Sequence, residues 1–297
     1  MNKKRIRFII NPKSGISRKA GVSDLIAGCI DREKFDFEIS YTEAPKHATV
    51  LSRDAAGKKF DVVVAVGGDG SVNEVAKGLF GTETALGFLA TGSGNGMARH
   101  LGIPMDLRKA IQVLHTGITE KIDTLKVNDE FCVGTIGVGF DAHVAHLFAG
   151  SAKRGYSTYV KLVLSEFYKY HPLPYELVID GESITRDCFL LTFANSSQFG
   201  NNAVIAPFAD VKDGIMDVSM MKKFPFYHAP HLLYRLMHNT IHKSRYFSMA
   251  KGKSILLKNN RVLKGHIDGE PVTFTTDLHV KIIPASLHVL VPGTQTA

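Results

Sequence analysis

The sequence of 297 residues has no tryptophan, only three cysteines and no apolar run long enough to cross a bilayer. A spanning helix needs about 20 apolar residues, so this absence predicts a soluble protein. Cys29, Cys132 and Cys188 lack the paired spacing of zinc sites or disulfide frameworks, which predicts reduced, buried thiols. The amino-terminal segment has a basic flank but too short an apolar core for a secretory signal, and we expect cytoplasmic retention.

Acidic residues are also in deficit, since 36 Lys and Arg against 28 Asp and Glu give a formal net charge of +8. This excess is compatible with nucleic acid, nucleotide phosphates, an anionic membrane or an ordinary solvated surface. No basic and aromatic module typical of nucleic-acid readers is recognisable, so no nucleic-acid partner is expected. The length is sufficient for one large or two medium domains, and we expect two.

The pattern of predicted secondary structure changes near residue 120. In residues 1–120, β-rich runs alternate with amphipathic stretches, which predicts βαβ crossovers and an α/β domain with a parallel sheet. In residues 121–297, turn pairs such as Asp180-Gly181 and Asp268-Gly269 predict hairpins in a mainly antiparallel, sandwich-like β domain. Helical insertions are expected at 156–170 and 227–242. The last strand, 286–291, could return to the amino-terminal domain.

The strongest local signal is VVVAVGGDGSVNE, where an apolar strand runs into Gly67, Gly68, Asp69 and Gly70 and then into a helix. Glycines let backbone amides approach a phosphate, and the start of a helix adds partial positive charge. Asp69 would repel an anion unless a cation accompanies it, which argues for Mg²⁺. The alternative is a simple glycine turn with an aspartate cap.

A second glycine loop, TGSGNG at 91–96, also joins an apolar strand to a helix, and NPKSG at 11–15 ends the first strand. Loops that follow parallel strands open on the same edge of the sheet, where ligands of such folds bind. Neither the Walker pattern nor the dinucleotide pattern G-x-G-x-x-G is present. The loops therefore predict a shared phosphate site of another type.

These loops, together with GGDGSVNE at 67–74, ADVKDGIMDV at 209–218 and IDGE at 267–270, resemble the diacylglycerol kinase and sphingosine kinase family of lipid kinases. Their order and spacing cover nearly the whole chain. The resemblance implies a nucleotide-binding domain at 1–120 and a lipid-substrate domain at 121–297. It implies an enzyme that uses ATP and Mg²⁺ to phosphorylate a lipid hydroxyl, of diacylglycerol or a related glycerolipid, at the inner face of the membrane.

The resemblance also implies roles for single residues. Asp268 would be the general base, although Asp268-Gly269 alone indicates only a hairpin turn. A structural Mg²⁺ would be held by Asp210, Asp213 and the carbonyl of Ile215, while Asp69 and Asp123 would belong to the network around the catalytic Mg²⁺. The nucleotide would be surrounded by Asn11, Pro12, Lys13, Ser14, Gly15, Thr42, Gly67, Gly68, Asp69, Gly70, Ser71, Val72, Asn73, Ser93 and Glu270.

One departure keeps alternatives open. Bacterial diacylglycerol kinases commonly have Asn-Asp where this chain has Asn95-Gly96, so a sphingoid base kinase remains an alternative. A nucleotide or lipid sensor without turnover is a second alternative, whereas a further NAD kinase motif is missing. Aromatic and basic residues interleave over 222–237, which suits contact with an anionic membrane as well as an ordinary amphipathic helix. A homodimer is compatible with the sequence.

Overall fold

The computed structural model describes residues 3–13, 21–151 and 156–293. The chain divides into two compact units, of which the first joins Met1–Thr124 to Pro284–Ala297 and the second is Leu125–Ile283. The first unit is therefore discontinuous in sequence. The boundary between two domains that we expect at residue 120 stays a prediction.

The first unit contains a parallel sheet with the strand order β2-β1-β3-β4. Its strands are β1 (Lys4–Ile10), β2 (Phe35–Tyr41), β3 (Val62–Gly67) and β4 (Ala85–Ala90). All six residues of β3 are buried, as its uninterrupted apolar run predicts for a strand between two others. Strand positions and direction agree with the α/β prediction.

Helices connect these strands, as the alternating pattern predicts. They are α1 (Val22–Cys29), α2 (His47–Gly57), α3 (Asp69–Leu79), α4 (Gly96–His100) and α5 (Leu107–Thr116). The sequence pattern had not singled out α5. Asp106 caps it by accepting a hydrogen bond from the Lys109 amide at 3.0 Å, and Ile111 and Leu114 lie on its buried face.

Two strands, β5 (Ile118–Val127) and β16 (Leu278–Val291), begin in one unit and end in the other. In the first unit, Val289 of β16 pairs in parallel with Leu86 of β4. In the second unit, the first residues of β16 pair in antiparallel fashion with a neighbouring strand. The last strand, whose partner the sequence left open, thus pairs within both units.

Antiparallel sheets dominate the second unit, which confirms the sandwich-like prediction. Its remaining strands are β6 (Glu130–Cys132), β7 (Thr135–Gly139), β8 (Leu173–Ile179), β9 (Glu182–Cys188), β10 (Leu190–Ala194), β11 (Met216–Met221), β12 (Phe247–Gly252), β13 (Ser254–Lys258), β14 (Leu263–Ile267) and β15 (Glu270–Phe274). Among the described residues, one sheet has the strand order β12-β11-β10-β7-β14-β15. The strands β16-β13-β8-β9 are consecutive neighbours in another sheet. Tyr175 and Phe193 are the largest side chains buried in the core.

Three helices of the second unit contribute side chains to a second apolar cluster. They are α6 (Phe140–Ala149), α7 (Tyr156–Phe167) and α8 (Ala229–Met237). Phe140, Phe167, Phe189 and Leu232 are buried in it. α8 is shorter than the helix predicted over 227–242, because separate 3₁₀ turns occupy Phe226–His228 and Ile241–Lys243. No helix in the described part of the chain is long and apolar enough to cross a bilayer.

Candidate phosphate-binding and catalytic residues

The loops that follow β1 and β2 lie at the same edge of the parallel sheet. The Asn11 amide donates to the Val66 carbonyl at 3.2 Å, and the Thr42 amide donates to the Ile10 carbonyl at 2.9 Å. These bonds continue the ladder beyond the strand ends. Asn11 and Thr42, both predicted to contact nucleotide, are therefore placed at the carboxyl edge, where ligands of parallel sheets bind.

The two glycine loops approach each other at their backbones. A Cβ atom added to Gly92 would lie 2.5 Å from the Cα of Gly68, and one added to Gly68 would lie 3.3 Å from the Cα of Gly92. The Thr91 amide also donates to the Gly67 carbonyl at 2.8 Å. Glycine at position 92 is thus required by the close approach of the loops.

Asp69 joins the two loops. Its Oδ2 accepts a hydrogen bond from the Asn95 amide at 2.8 Å, and its Oδ1 accepts one from the Gly96 amide at 2.7 Å. The sequence predicts that Mg²⁺ accompanies this carboxylate, and in the structure two backbone amides at the start of α4 stabilise its charge. The Mg²⁺ assignment stays a prediction.

The turn after β1 contacts the start of α3. Asn11 Nδ2 donates to Ser71 Oγ at 3.3 Å, and Asn11 Oδ1 accepts from the Lys13 amide at 2.9 Å. Pro12 and Lys13 are exposed, while the predicted nucleotide residues Ser14 and Gly15 lie outside the described residues. The structure therefore brings Asn11 and Ser71 together, as the resemblance implied.

The residues of α3 that are predicted to contact nucleotide differ in whether the helix uses their backbone amides. The Val72 amide donates to the Gly68 carbonyl at 3.0 Å, so the helix ladder begins at Val72. Amides that precede it, such as those of Gly70 and Ser71, are not needed by the helix itself, and these are the groups that a phosphate can approach. Asn73 lies one residue further into α3, and Ser93 is exposed in the second glycine loop.

Glu74, the last residue of GGDGSVNE, has a role that the sequence did not reveal. Its carboxylate accepts hydrogen bonds from the amides of Lys46 at 2.9 Å and Ala48 at 3.1 Å, at the start of α2. A carboxylate at the beginning of a helix stabilises otherwise unpaired amides and the helix dipole. The only sequence signal was its place within the motif.

Asp268 in the second unit occupies the turn between β14 and β15, where positive φ angles of 47° at Asp268 and 82° at Gly269 give the expected hairpin. Its Oδ1 accepts from the amides of Gly134 at 2.8 Å and Thr135 at 2.9 Å, and its Oδ2 accepts from the Val133 amide at 2.9 Å. Three backbone amides therefore hold this carboxylate in place.

The surroundings of Asp268 are tightly built. A Cβ atom at Gly134 would lie 2.8 Å from Asp268 Oδ1, so only glycine fits there. The Cys132 thiol lies 3.4 Å from the same oxygen, and burial, followed by the charge of Asp268, raises the pKa of this thiol well above its ordinary value. Glu270, the other predicted residue of this turn, is exposed at the start of β15.

Asp123 is buried in β5, and its Oδ1 accepts a hydrogen bond from the Ala285 amide at 2.7 Å. Ala285 has a positive φ of 47°, which an L-residue adopts only where its surroundings hold it. Asp123 therefore fixes a bend in β16. Its predicted membership of a magnesium network stays a prediction.

The carboxylates of the loop predicted to bind structural Mg²⁺ have hydrogen-bond and ion-pair partners within the protein, and the metal assignment stays a prediction. Asp210 Oδ1 accepts from the Lys212 amide at 2.9 Å, and Asp213 Oδ1 accepts from the Ile215 amide at 3.0 Å. The remaining Asp213 oxygen faces the ammonium group of Lys251 at 3.3 Å. Within the described ranges, no three His, Cys, Asp or Glu side chains form a cluster that could hold a metal ion.

A buried pair in the second unit was missed by the sequence argument. His266 Nε2 lies 2.9 Å from Asp141 Oδ2, and His266 is 4% exposed. The other polar atoms, His266 Nδ1 and Asp141 Oδ1, have no hydrogen-bond partner among the described residues. A Cβ atom at Gly137 would collide with both side chains. The pair could not be predicted because 125 positions separate its members.

Comparison with known proteins accounts for both units. Residues 5–127 match the diacylglycerol kinase catalytic domain, and residues 134–291 match the YegS C-terminal NAD kinase beta sandwich-like domain. The fold and these two matches define a protein of the diacylglycerol kinase type. The chain belongs to the diacylglycerol kinase-like family.

Two curated relatives and two crystal structures illustrate this kinship. The chain is 35% identical over 178 residues to a diacylglycerol kinase of Mycobacterium tuberculosis, a match that spans 56% of each protein. It is 29% identical over 227 residues to a diacylglycerol kinase of Bacillus subtilis, covering 74% of each. Two Bacillus anthracis str. Sterne structures share the fold, with TM-scores of 0.78 and 0.73, identities of 20% and 17%, and 98% coverage of each chain.

Proposed function

We propose that the protein is a lipid kinase that transfers the γ-phosphate of ATP to a lipid hydroxyl, with diacylglycerol or a related glycerolipid as the first acceptor to test. The observation that best supports this proposal is the pair of glycine loops in backbone contact, joined by Asp69, at the carboxyl edge of a parallel sheet. Relatives from two bacteria are named diacylglycerol kinases.

The first unit would bind the triphosphate through backbone groups. Phosphoryl transfer requires mainly alignment and neutralisation of charge on the phosphate oxygens, which amides at the start of α3 can provide. The carboxylate of Asp69 accepts an amide hydrogen bond on each oxygen, and the buried Oδ1 of Asn95 has no partner among the described residues. Mg²⁺, which takes oxygen ligands and substrate phosphates, would supply charge neutralisation there.

Asp268 would accept the proton of the lipid hydroxyl. The three amides hold its carboxylate in one orientation. A lipid alcohol is a weak acid, so its proton would be accepted late, as the bond to phosphorus forms. General-base catalysis of this kind contributes on the order of 100-fold.

The acceptor can be identified with radiolabelled ATP, Mg²⁺ and separate mixed micelles that contain diacylglycerol, monoacylglycerol or sphingosine, with free NAD⁺ as a further arm. We expect label in phosphatidic acid. Label in sphingosine phosphate would replace the glycerolipid assignment, and label in NADP⁺ would replace the lipid assignment. Absence of transfer in every arm, with ATP binding intact, would show a sensor without turnover.

A sphingoid base kinase remains the second candidate because of Gly96. This residue offers its amide to Asp69, and no carboxylate stands beside it in the loop. Introducing the carboxylate by Gly96→Asp should leave diacylglycerol turnover unchanged or higher if the protein resembles the bacterial diacylglycerol kinases. A large loss of that turnover, with sphingosine phosphorylated by the unaltered protein, would favour the sphingoid assignment.

Contact with an anionic membrane would take place through the exposed aromatic surface of the second unit, defined by Tyr168, Tyr227, Leu233, Tyr234 and Met237. Tyr227 is 76% exposed and Tyr168 is 69% exposed, yet the rings of Tyr168 and Phe226 pack 5.4 Å apart and so bring the segments after α7 and before α8 together. Aromatic side chains prefer the headgroup level, and nearby cations such as Arg235 favour anionic lipids.

Vesicle flotation tests this surface. We expect the unaltered protein to bind vesicles of phosphatidylglycerol and phosphatidylcholine, and the double variant Tyr227→Ser and Tyr234→Ser to bind severalfold more weakly. The matched control is Tyr41→Ser, because Tyr41 is half exposed in the first unit. Equal binding of both variants would exclude the aromatic surface as the docking site. Turnover of a short-chain, water-soluble lipid should be unchanged in the double variant.

A further inference from the structure

A lysine lies against the loop whose acidic residues are predicted to hold a metal ion. Lys251 Nζ lies 3.3 Å from Asp213 Oδ2, 3.5 Å from Asp217 Oδ2 and 3.3 Å from the carbonyl oxygen of Phe208. Two carboxylates and a backbone carbonyl are the oxygen ligands that a hard divalent cation prefers. Here they converge on an ammonium group.

The position of Lys251 follows from the sheet. In the antiparallel pair of β11 and β12, Asp217 and Lys251 are directly opposite each other. Opposite charges at such positions stabilise a sheet. Because both residues belong to paired strands, the ammonium group is presented to the acidic loop by the register itself.

Asp217 explains why a cation is needed here. Its side chain is fully buried, and neither carboxylate oxygen has a hydrogen-bond partner among the described residues. A buried carboxylate without a compensating charge is strongly destabilising. The salt bridge to Lys251 supplies that charge, while the other oxygen of Asp213 is engaged with the Ile215 amide.

A magnesium ion and this ammonium group would compete for the same oxygen of Asp213. Mg²⁺ bound to Asp213 Oδ2 would lie about 2.1 Å from that oxygen, whereas Lys251 Nζ lies 3.3 Å from the same atom. Two cations bound on one carboxylate oxygen at such short range repel each other. We infer that Lys251 is a built-in cation that takes the place of the structural magnesium in this chain, so that the stability of the second unit does not depend on a divalent metal.

The surroundings also make the inference testable. A cavity of about 480 Å³ lies beside the ion pair and is lined in part by Phe208, Asp217, His242 and Lys251. Loss of the lysine side chain would leave the carboxylates together with enough space for a hydrated Mg²⁺ ion. A variant without Lys251 should therefore bind the metal that the unaltered chain does not need.

The experiment measures the melting temperature of the full chain without nucleotide, in EDTA and then in increasing MgCl₂, at ionic strength matched with NaCl. We expect no saturable effect of Mg²⁺ on the unaltered protein or on Lys251→Arg. For Lys251→Met, we expect the melting temperature to fall by about 5 °C, with saturable recovery as Mg²⁺ is added. Asp213→Asn in that background should abolish the recovery, and Lys253→Met, an exposed lysine two residues away, should behave like the unaltered protein.

Three results would overturn the inference. The first is a saturable rise in the melting temperature of the unaltered protein with Mg²⁺ that Asp213→Asn removes. The second is an unchanged melting temperature in Lys251→Met. The third is a lower melting temperature in Lys251→Met that Mg²⁺ does not restore, which would show that Lys251 only forms an ordinary salt bridge. If Lys251→Met does not fold, the titrations of the unaltered protein and of Asp213→Asn alone still decide. None of these readouts depends on kinase activity.

Discussion

Asp69 in the first unit and Asp268 in the second are both carboxylates held by backbone amides, but their connections differ. Asp69 receives one amide on each oxygen from adjacent residues of the next glycine loop, 26 and 27 positions away. Asp268 receives amides from three consecutive residues, 133 to 135 positions away. Asp69 therefore couples two loops of one phosphate site, whereas Asp268 couples the tip of a hairpin to a distant loop.

Hydrogen bonds from backbone amides alone therefore do not tell whether a carboxylate holds loops together or takes part in the reaction. For Asp69, we expect loss of the carboxylate to loosen the glycine loops and so to weaken nucleotide binding. For Asp268, we expect loss of turnover beyond any structural effect. Each of the following changes is chosen to break or sharpen this contrast.

The largest expected effect is that of Asp268→Asn, which keeps the size of the side chain but removes the proton acceptor. Turnover of lipid should fall by about 100-fold or more, while the affinity for ATP should remain nearly the same. Steady-state kinetics and equilibrium ATP binding measure the two quantities separately.

The matched control is Asp180→Asn. Asp180 also begins an Asp-Gly hairpin turn, with a φ of 48°, and accepts amides of Lys253 at 3.0 Å and Ser254 at 2.8 Å. Asp180→Asn should lower stability as Asp268→Asn does, but it should leave lipid turnover nearly unchanged. Similar turnover in the two variants would remove Asp268 from the proton-transfer step.

Gly92→Ala should have the next largest effect, because its methyl group would lie 2.5 Å from Gly68 Cα. Overpacking of this kind costs about 2 kcal/mol, and displacement of the two loops should weaken ATP binding at least tenfold. Urea unfolding and ATP titration provide the measurements. Gly28→Ala in α1, where a Cβ atom meets nothing within 4 Å, should be neutral or slightly stabilising. Unchanged ATP binding in Gly92→Ala would show that the loop contact is unimportant for the nucleotide.

Asp69→Asn should raise the KM for ATP by about tenfold, because a hydrogen bond to a charged acceptor contributes about 1.5 kcal/mol. The amide side chain can accept only one of the two backbone amides. Asp106→Asn is the control, since asparagine caps a helix as well as aspartate does. If Asp69→Asn lowers kcat with an unchanged KM, the role of Asp69 lies in the chemical step and the contrast with Asp268 disappears.

The smallest expected effect is that of Glu74→Gln, which weakens the cap of α2 without touching the glycine contact. The free energy of unfolding should decrease by about 1 kcal/mol, with ATP binding affected less than in Asp69→Asn. Chemical denaturation measures the change, and exposed Glu33→Gln serves as the control. A loss of ATP affinity as large as that of Asp69→Asn would extend the nucleotide site to Glu74.

Local patterns were sufficient for much of the fold. The apolar run of β3, the alternation of strands and helices and the Asp-Gly turns each carry their information within a few residues. Helix α5 was not predicted, although Asp106 is a good cap and its apolar residues Ile111 and Leu114 lie on one face. The boundaries of α8 shifted because 3₁₀ turns on either side take residues that fit the same amphipathic pattern.

The site was less accessible from sequence than the fold. Glycines mark where a backbone comes close, so the contact of the two glycine loops could be anticipated. The partners of buried charges could not, because Asp217 and Lys251 are brought together by sheet register, and Asp141 of α6 meets His266 of β14 across 125 positions. Asp213 shows the consequence, since its motif predicts metal binding and its neighbour in space is a lysine.

Strand β16 has a consequence for the time course of folding. The sheet of the first unit includes β4 paired with residue Val289, whereas the rest of that unit ends at Thr124. A ribosome therefore releases β1 to β4 long before their last partner has been synthesised. The exposed edge of β4 must wait for more than half of the chain, and such an edge can pair with another molecule. We expect slowed synthesis after Thr124 to increase aggregation of the nascent protein.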